Sequence, residues 1–383
     1  MAMPEFKPLV SVVMVAYNHA RYLRETISSV LKQSLAELEL ILIDNGSSDN
    51  SAEIIAEFDD PRIIKIRQEN LGLSLAYNIG IERSSAPFIA CGNADDVWMP
   101  EKLEEQLKAI EKTGAGVSFT AARLIDDHGN AVPEEIAAKF PFSFENLARA
   151  QMYEKFFFKS NFLCATSALI SKDLLLEQAF KAELIQLQDF ELWIRLVKKS
   201  SFLVLPQQLV GYRIRMDGQN LSLDSSNRAR VLFELNCVYR NFFENVDPAF
   251  FRDAFANHLR KADFSGEIGM QFEQAFLFLK MQEPSIRVLG VELLYRLMNF
   301  EEGRRIAERD YAFRITDLWS LCKVPFYADS QSVDAAVLDY SDMALRLKES
   351  EAELDRLRRT MDELSNSKFW KLKSKIADIF NRH

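Results

Sequence analysis

The sequence predicts an α/β fold, a doubly wound sheet flanked by helices, followed by an all-α region and a C-terminal heptad helix. Three observations lead there. Over residues 9–122, short β-branched apolar runs alternate with helical patterns, the arrangement of strands joined by crossover helices. Residues 227–335 read as several helices with little strand signal. From residue 336, apolar or small residues recur in steps of four and three, and no glycine follows Gly303. With 383 residues, 48% of them hydrophobic, the chain can build two or three domains with ample cores. Only 13 glycines against 29 phenylalanines favour helices packed around bulky side chains over a β-sandwich of tight turns.

The elements follow in order. Leu9–Ala16 is a nearly continuous apolar run, suited to a strand buried on both faces of a parallel sheet. After Tyr17 and Asn18, Leu23, Ile27, Val30 and Leu31 fall on one side of a helix. Leu38–Ile43 is the second strand, and Asp44, Asn45, Gly46 and Ser47 form the turn leaving it. Ser48 or Asp49 is the expected cap of a helix over Ser51–Phe58. Arg62–Arg67 is a strand, Leu73–Glu82 a helix and Pro87–Cys91 a fourth strand. Pro100 suits the first turn of a helix that runs to about Thr113. Residues 123–225 are less regular, with a helix over Asp189–Lys199 and a strand over Phe202–Leu205.

Several classes are excluded. No apolar run approaches the ~18–20 residues that span a bilayer. The opening residues lack the basic-then-apolar layout of a secretory signal. Cys91, Cys164, Cys237 and Cys322 show no paired spacing, so they read as reduced thiols of a cytoplasmic protein rather than a disulfide or zinc framework. A net charge of −9 disfavours nucleic acid as a partner.

The chemistry is expected where the strands end, because ligands of open α/β sheets bind at the carboxyl edge. The first strand delivers Tyr17 and Asn18, the second Asp44 and Asn45, the fourth Asn93, Asp95 and Asp96. Adjacent carboxylates after a buried strand repel unless something offsets their charge. Mg²⁺ or Mn²⁺ does so with oxygen ligands and substrate phosphates, which predicts a diphosphate substrate. The plain alternative is an acidic pair favoured beside a helix N-terminus.

Six blocks carry a resemblance that weakens this alternative. They are residues 10–18 (VSVVMVAYN), 42–49 (LIDNGSSD), 70–72 with 76–80 (NLG, AYNIG), 93–103 (NADDVWMPEKL), 188–196 (QDFELWIRL) and 212–215 (YRIR). Over about residues 8–222 the chain resembles the family 2 glycosyltransferases, inverting enzymes of GT-A fold with a mixed sheet. That resemblance implies that Ala16, Tyr17 and Asp44 border the nucleotide, with Asn18, Asn45 and Asn78 also on the nucleotide-sugar side. It implies that Asp96 is the direct metal ligand, with Asp95 nearer the ribose or sugar, and that Asp189 is the catalytic base. A carboxylate in a partly desolvated cleft suits removal of a proton from an acceptor hydroxyl.

Four positions depart from the family pattern. Asn45 stands where a second Asp is common, which leaves uridine, thymidine and guanosine donors open. Asn93 replaces a common Asp, Gln188 the Glu before the base, and Arg215 a His. Arg215 can meet the diphosphate as a cation. Glu191 is a second candidate base. Trp98 and Trp193 are either core or sugar-stacking platforms, the former favoured, and Phe156, Phe157 and Phe158 either pack inward or line the acceptor cleft. Of the histidines, His19 alone adjoins the inferred site.

The expected organisation is a catalytic domain over 1–225, a helical domain over 226–335, a coiled-coil segment over 336–366 and a basic amphipathic tail over 367–383. The seam at 336–364 suggests a homo-oligomer. The tail, rich in lysine and aromatic residues, suggests contact with the inner face of the cell membrane, with a saccharide or lipid-linked acceptor. The rival readings are a non-catalytic scaffold for glycan enzymes, a sugar nucleotidyltransferase and a dinucleotide oxidoreductase. The last two lack their glycine-rich loop after the first strand.

Overall fold

Val10–Ala16 forms strand β1, and each of its seven residues is buried. Alternate side chains therefore enter two different cores, the demand that produced its nearly continuous apolar run. The computed structural model describes residues 7–138, 140, 142–215 and 227–322. Residues 1–318 form one unit and 319–383 a second, described only at 319–322.

From β1 the chain runs through α1 (Ala20–Leu31), β2 (Leu38–Asn45), α2 (Ser51–Glu57), β3 (Ile63–Gln68), α3 (Leu73–Arg83) and β4 (Phe88–Asn93). It continues with β5 (Val97–Trp98), α4 (Lys102–Thr113), β6 (Val117–Ile125), α5 (Glu134–Ala137) and α6 (Arg149–Lys159). Then come β7 (Leu169–Ser171), α7 (Lys172–Glu177), α8 (Gln188–Val197) and β8 (Phe202–Arg213). The helical half comprises α9 (Arg228–Arg240), α10 (Pro248–Phe255), α11 (Gly266–Leu279), α12 (Pro284–Met298), α13 (Glu301–Tyr311) and α14 (Ile315–Leu321).

The eight strands form one mixed sheet in the order β3-β2-β1-β4-β7-β6-β8-β5. β3, β2, β1 and β4 are parallel, whereas β7 pairs antiparallel with both β4 and β6. Val12 and Met14 face the cluster that includes Leu23 and Ile27 of α1 and Leu103 and Leu107 of α4. Val13 and Val15 face the other, with Tyr77 of α3, Phe156 and Phe157 of α6, and Phe190 of α8.

That second cluster continues without a break into α9–α12 through Tyr239, Phe242, Phe243, Phe255 and Phe278. The Phe157 ring lies 5.1 Å from Phe242, 5.2 Å from Phe243 and 5.5 Å from Phe278. Phe156 and Phe157 are fully buried and thus pack inward. The expected boundary at 225/226 lies outside the described residues, and the hydrophobic cluster holds residues from both sides of it. The heptad seam and the basic tail lie outside the described residues.

Three local expectations change. Helix α2 has Asn50 at its N-cap, without a side-chain cap; Asp49 instead accepts from the backbone N–H of Ser51 at 3.0 Å and of Ala20 at 3.0 Å. It thus serves the starts of α2 and α1 together. Helix α4 begins two residues after Pro100, whose carbonyl accepts from the Ser34 N–H. β8 runs on to Arg213, well beyond the expected Phe202–Leu205. The register with β6 jumps from Thr120↔Leu205 to Ala121↔Gln208, so the irregularity accommodates Pro206, which has no N–H to donate.

Candidate active site

The sheet register sets the edge on which the site is built. Ala16 pairs with Asp44 and Val15 with Asn93, so β1, β2 and β4 end nearly level. Tyr17 follows β1 and is 44% exposed, leaving its ring open to solvent at this edge. Asp44 is buried; its Oδ1 accepts from the Ser47 N–H at 3.0 Å and its Oδ2 lies 3.4 Å from Arg67 Nε.

Two predicted binding residues instead stitch loops together. Asn18 sits at φ 57°, and its side-chain oxygen accepts from the N–H groups of Ser48 at 2.8 Å and Asp49 at 3.3 Å. Asn45 is buried, and its amide is fully engaged by the 68–72 loop. Its oxygen accepts from Gln68 Nε2 at 2.8 Å and the Leu71 N–H at 3.2 Å; its nitrogen donates to Asn70 Oδ1 at 3.2 Å and the Gly72 carbonyl at 3.4 Å. The two donated bonds explain why an amide stands there: a carboxylate would turn oxygen toward oxygen. The same loop passes so close to Gly46 (φ +79°) that a Cβ would come within 2.7 Å of the Asn70 nitrogen.

The acidic pair divides its work. Asp96 is 1% exposed, with Oδ1 accepting from the Arg213 N–H at 2.8 Å and Oδ2 from Asn93 Nδ2 at 3.0 Å. Burial and the neighbouring Asp95 push its pKa well up, against these donors and Thr166. Asn93, the departure from the acidic pattern, is therefore a donor to the pair. The fully buried Arg213 also donates from Nε to the Asp95 carbonyl at 2.7 Å and pairs with Glu25 at 2.7 Å. The Asp95 carboxylate makes no hydrogen bond among the described residues and faces His19 Nε2 at 3.7 Å.

His19 completes this corner. Its Nδ1 accepts from the Tyr17 N–H at 3.1 Å, which leaves Nε2 as the protonated nitrogen of the neutral ring. Burial holds its pKa below the ordinary value; Asp95 opposes that and Arg215 adds to it, so Arg215 lies near enough for its charge to be felt. The Arg215 guanidinium stands 5.7 Å from the centre of the Tyr22 ring.

Asp189 occupies the first turn of α8. Its Oδ2 accepts from Asn161 Nδ2 at 2.9 Å and its Oδ1 from the Phe190 N–H at 2.7 Å. Burial nevertheless raises its pKa from 3.8 to about 6, so desolvation outweighs both donors. Glu191 is committed elsewhere, to Arg195 at 2.7 Å and Lys181 at 2.9 Å. The buried Tyr77 hydroxyl donates to the Gly92 carbonyl at 3.1 Å and to Asn93 Oδ1 at 3.4 Å. Burial first, then Cys91, Asp96, Asp95 and Asp189 raise its pKa well above normal, so the charge of each carboxylate is felt at this hydroxyl. Asn78, placed on the nucleotide side by the resemblance, donates to the Phe180 carbonyl at 2.9 Å and accepts from its N–H at 3.0 Å. Its amide anchors the segment leading to α8.

The structure therefore gathers Ala16, Tyr17, Asp44, Asp95, Asp96 and Arg215 along the sheet edge, while Asp189 stands on α8, held by Asn161 and the Phe190 N–H. Trp98 and Trp193 are buried in the cores, 2% and 1% exposed. Sequence reasoning missed Asn161, Thr166 and Arg213 as partners of the acids. Nothing local to Asn161 marks it, since Asp189 lies 28 residues away. Among the described residues, no group of three or more His, Cys, Asp or Glu side chains is arranged to hold a metal alone. The hard oxygen donors of Asp95 and Asp96 fit Mn²⁺ or Mg²⁺ only with further oxygens from a substrate.

Comparison with known proteins identifies the family and the fold. The family model described as "Glycosyl transferase family 2" matches residues 11–177. An uncharacterized glycosyltransferase of Methanocaldococcus jannaschii is 31% identical over 63% of this chain and 83% of its own. A relative from Escherichia coli, named UDP-Glc:alpha-D-GlcNAc-diphosphoundecaprenol beta-1,3-glucosyltransferase, is 28% identical over 62% of this chain and 87% of its own. Among solved structures, a mannosyltransferase of Pyrobaculum calidifontis in complex with GDP-Man and Mn²⁺ shares the fold. Its TM-score is 0.50 at 14% identity, covering 81% of each chain.

Proposed function

The chain belongs to glycosyltransferase family 2, and on that premise we propose that it moves a sugar, with inversion, from a nucleoside-diphosphate donor to an acceptor hydroxyl. The observation that carries the proposal is the acidic pair Asp95 and Asp96 after β4 together with a half-buried Asp189 whose pKa is raised to about 6, all three charges being felt at the Tyr77 hydroxyl. A base near that value is ionised at neutral pH yet retains appreciable proton affinity.

Each residue then has a task. Tyr17 and Asp44 border the base and ribose, and Asp95 meets the cation that accompanies the diphosphate. Asp96 supports that position from behind, its oxygens directed by Arg213 and Asn93. This assigns direct metal contact chiefly to Asp95 rather than Asp96, because Asp95 carries the less engaged carboxylate. A bound Mn²⁺ or Mg²⁺ would supply charge neutralisation for the departing diphosphate. Arg215 adds a positive charge on the same side. Asp189 takes the acceptor proton as the hydroxyl oxygen bonds to the anomeric carbon. The bond from that carbon to the diphosphate oxygen breaks, and the nucleoside diphosphate leaves with the electron pair. Asn161 holds the base in aim.

Surface polysaccharide or glycoconjugate synthesis is the setting we propose, on a saccharide or lipid-linked acceptor. The relative named for a diphosphoundecaprenol-linked acceptor supports that setting. The two donors named among the relatives, UDP-Glc and GDP-Man, differ in base, and both belong in the test. Among the described residues no helix is long and apolar enough to cross a membrane. On sequence grounds we assign self-association to residues 336–364 and membrane-surface contact at the cytoplasmic face to 368–383.

Screening nucleotide sugars for binding and turnover, with and without Mn²⁺, tests the proposal. One donor class should bind tightly only with the cation, and Asp189→Asn should abolish its turnover. Unchanged glycan output from Asp189→Asn in cells would favour the scaffold reading instead.

A further inference from the structure

Helix α9 reaches back to the segment that delivers Asp189. Glu234 on α9 is 3% exposed, and its carboxylate collects three consecutive backbone N–H groups. Oε1 accepts from Ile185 at 3.0 Å, and Oε2 accepts from Gln186 at 2.8 Å and Leu187 at 3.0 Å. These are the last three residues before Gln188, where α8 begins, and Leu187 at its N-cap has no side chain able to cap. N–H groups running into a helix need acceptors, and a buried carboxylate needs donors; here each satisfies the other.

The rest of the segment is tied down from the opposite side. Asn78 of α3 holds Phe180, and Ser74 Oγ donates to the Leu184 carbonyl at 3.0 Å. The run 180–187 is thus clamped by α3 at its start and by α9 at its end. Asp189 follows two residues later, in the first turn of α8.

We infer that Glu234 is a positioning residue for sugar transfer: by gathering the N–H groups of 185–187 it sets where α8 starts and where the Asp189 carboxylate points. The inference rests on Asp189 being the base. It gives the helical half of the chain a part in catalysis without contact with substrate. Misplacing a reacting group by about 1 Å can cost ~10²-fold in rate.

The test uses the full chain with Glu234→Ala, Glu234→Gln and Asp189→Asn. Turnover is read as nucleoside diphosphate released from UDP-glucose or GDP-mannose with Mn²⁺, and binding is measured with UDP and GDP. Glu234→Ala is expected to lower kcat about 10–100-fold while leaving diphosphate affinity within about twofold, because other elements line the donor edge. Its acid limb should move below pH 6 as the loosened segment admits water to Asp189. Glu234→Gln keeps one carbonyl oxygen for two of the N–H groups and should recover part of kcat.

A kcat within about threefold of wild type would overturn the inference. So would a loss of kcat with an unmoved limb and a proportionate loss of diphosphate binding. If Glu234→Ala does not fold, Glu234→Gln decides by the same criteria, with a smaller loss of kcat expected. Wild-type turnover by Asp189→Asn would instead remove the base assignment, and the positioning role with it. An inactive Asp189→Asn beside normal Glu234 variants removes the positioning role alone.

Discussion

The backbone N–H of Arg213 donates to Asp96 Oδ1 at 2.8 Å, across 117 residues of chain. This bond joins the end of β8 to the acidic pair after β4, and Arg213 Nε adds a second tie through the Asp95 carbonyl. It makes the two acids unequal. Asp96 is part of the framework as well as of the site, while Asp95 presents the more available carboxylate.

Substitution should expose that inequality. Asp95→Ala is expected to abolish Mn²⁺-stimulated donor turnover while leaving thermal stability within a few degrees of wild type. Asp96→Ala should also abolish turnover, but it strips acceptors from the Arg213 N–H and from Asn93. Each buried donor left unpaired costs about 1–3 kcal/mol, so urea unfolding should separate the variants. Equal stability of the two would contradict the assignment.

The pH profile should report Asp189. As the proposed base it must be ionised, so kcat/KM is expected to rise with pH and level off above about 6. The stability consequence has the opposite direction. A carboxyl group raised from 3.8 to about 6 by burial is free of penalty below the lower value and carries the full penalty above the upper one. Wild type should therefore lose stability relative to Asp189→Asn as pH rises through that window, by roughly 1–3 kcal/mol. Denaturant titrations at pH 4 and pH 7 measure it; a constant difference between the proteins would refute the burial origin.

Asn161 should tune the same profile. Its amide donates to the ionised form of Asp189, so Asn161→Ala removes one of the groups that hold the pKa down. The acid limb is expected to move upward by about half a unit to one unit, with a fall in kcat. An unmoved limb would separate Asn161 from the base.

Asn45→Asp would restore the commoner family residue and should be harmful here. It places a carboxylate oxygen against Asn70 Oδ1 and the Gly72 carbonyl, where the amide now donates. A loss of about 2–4 kcal/mol is expected. Hydrogen exchange would detect faster opening in residues 68–72, and wild-type protection there would overturn the explanation.

Much of the sheet was legible because burial on both faces demands continuous apolar strands: β1, β2 and β4 required little beyond composition and punctuation. β6 was not recognised, and β8 was expected only over Phe202–Leu205, because a local reading cannot see the partner whose altered register carries the strand past Pro206. The acids were legible because the ends of parallel strands converge on one edge.

By itself, the sequence determined which residues stand at that edge: Tyr17, Asp44, Asp95 and Asp96, with Asp189 added through the family pattern. Only the tertiary structure decided which of these side chains remain free to act. The amides of Asn18, Asn45 and Asn78 are spent on loops, and Asp96 is occupied by Arg213 and Asn93. Asp189 owes its raised pKa to burial, and its Oδ2 is held by Asn161. The physical reason is common to all of them. Periodicity along the chain specifies where a backbone goes, but hydrogen-bond saturation and desolvation depend on neighbours that the fold brings from far along the sequence.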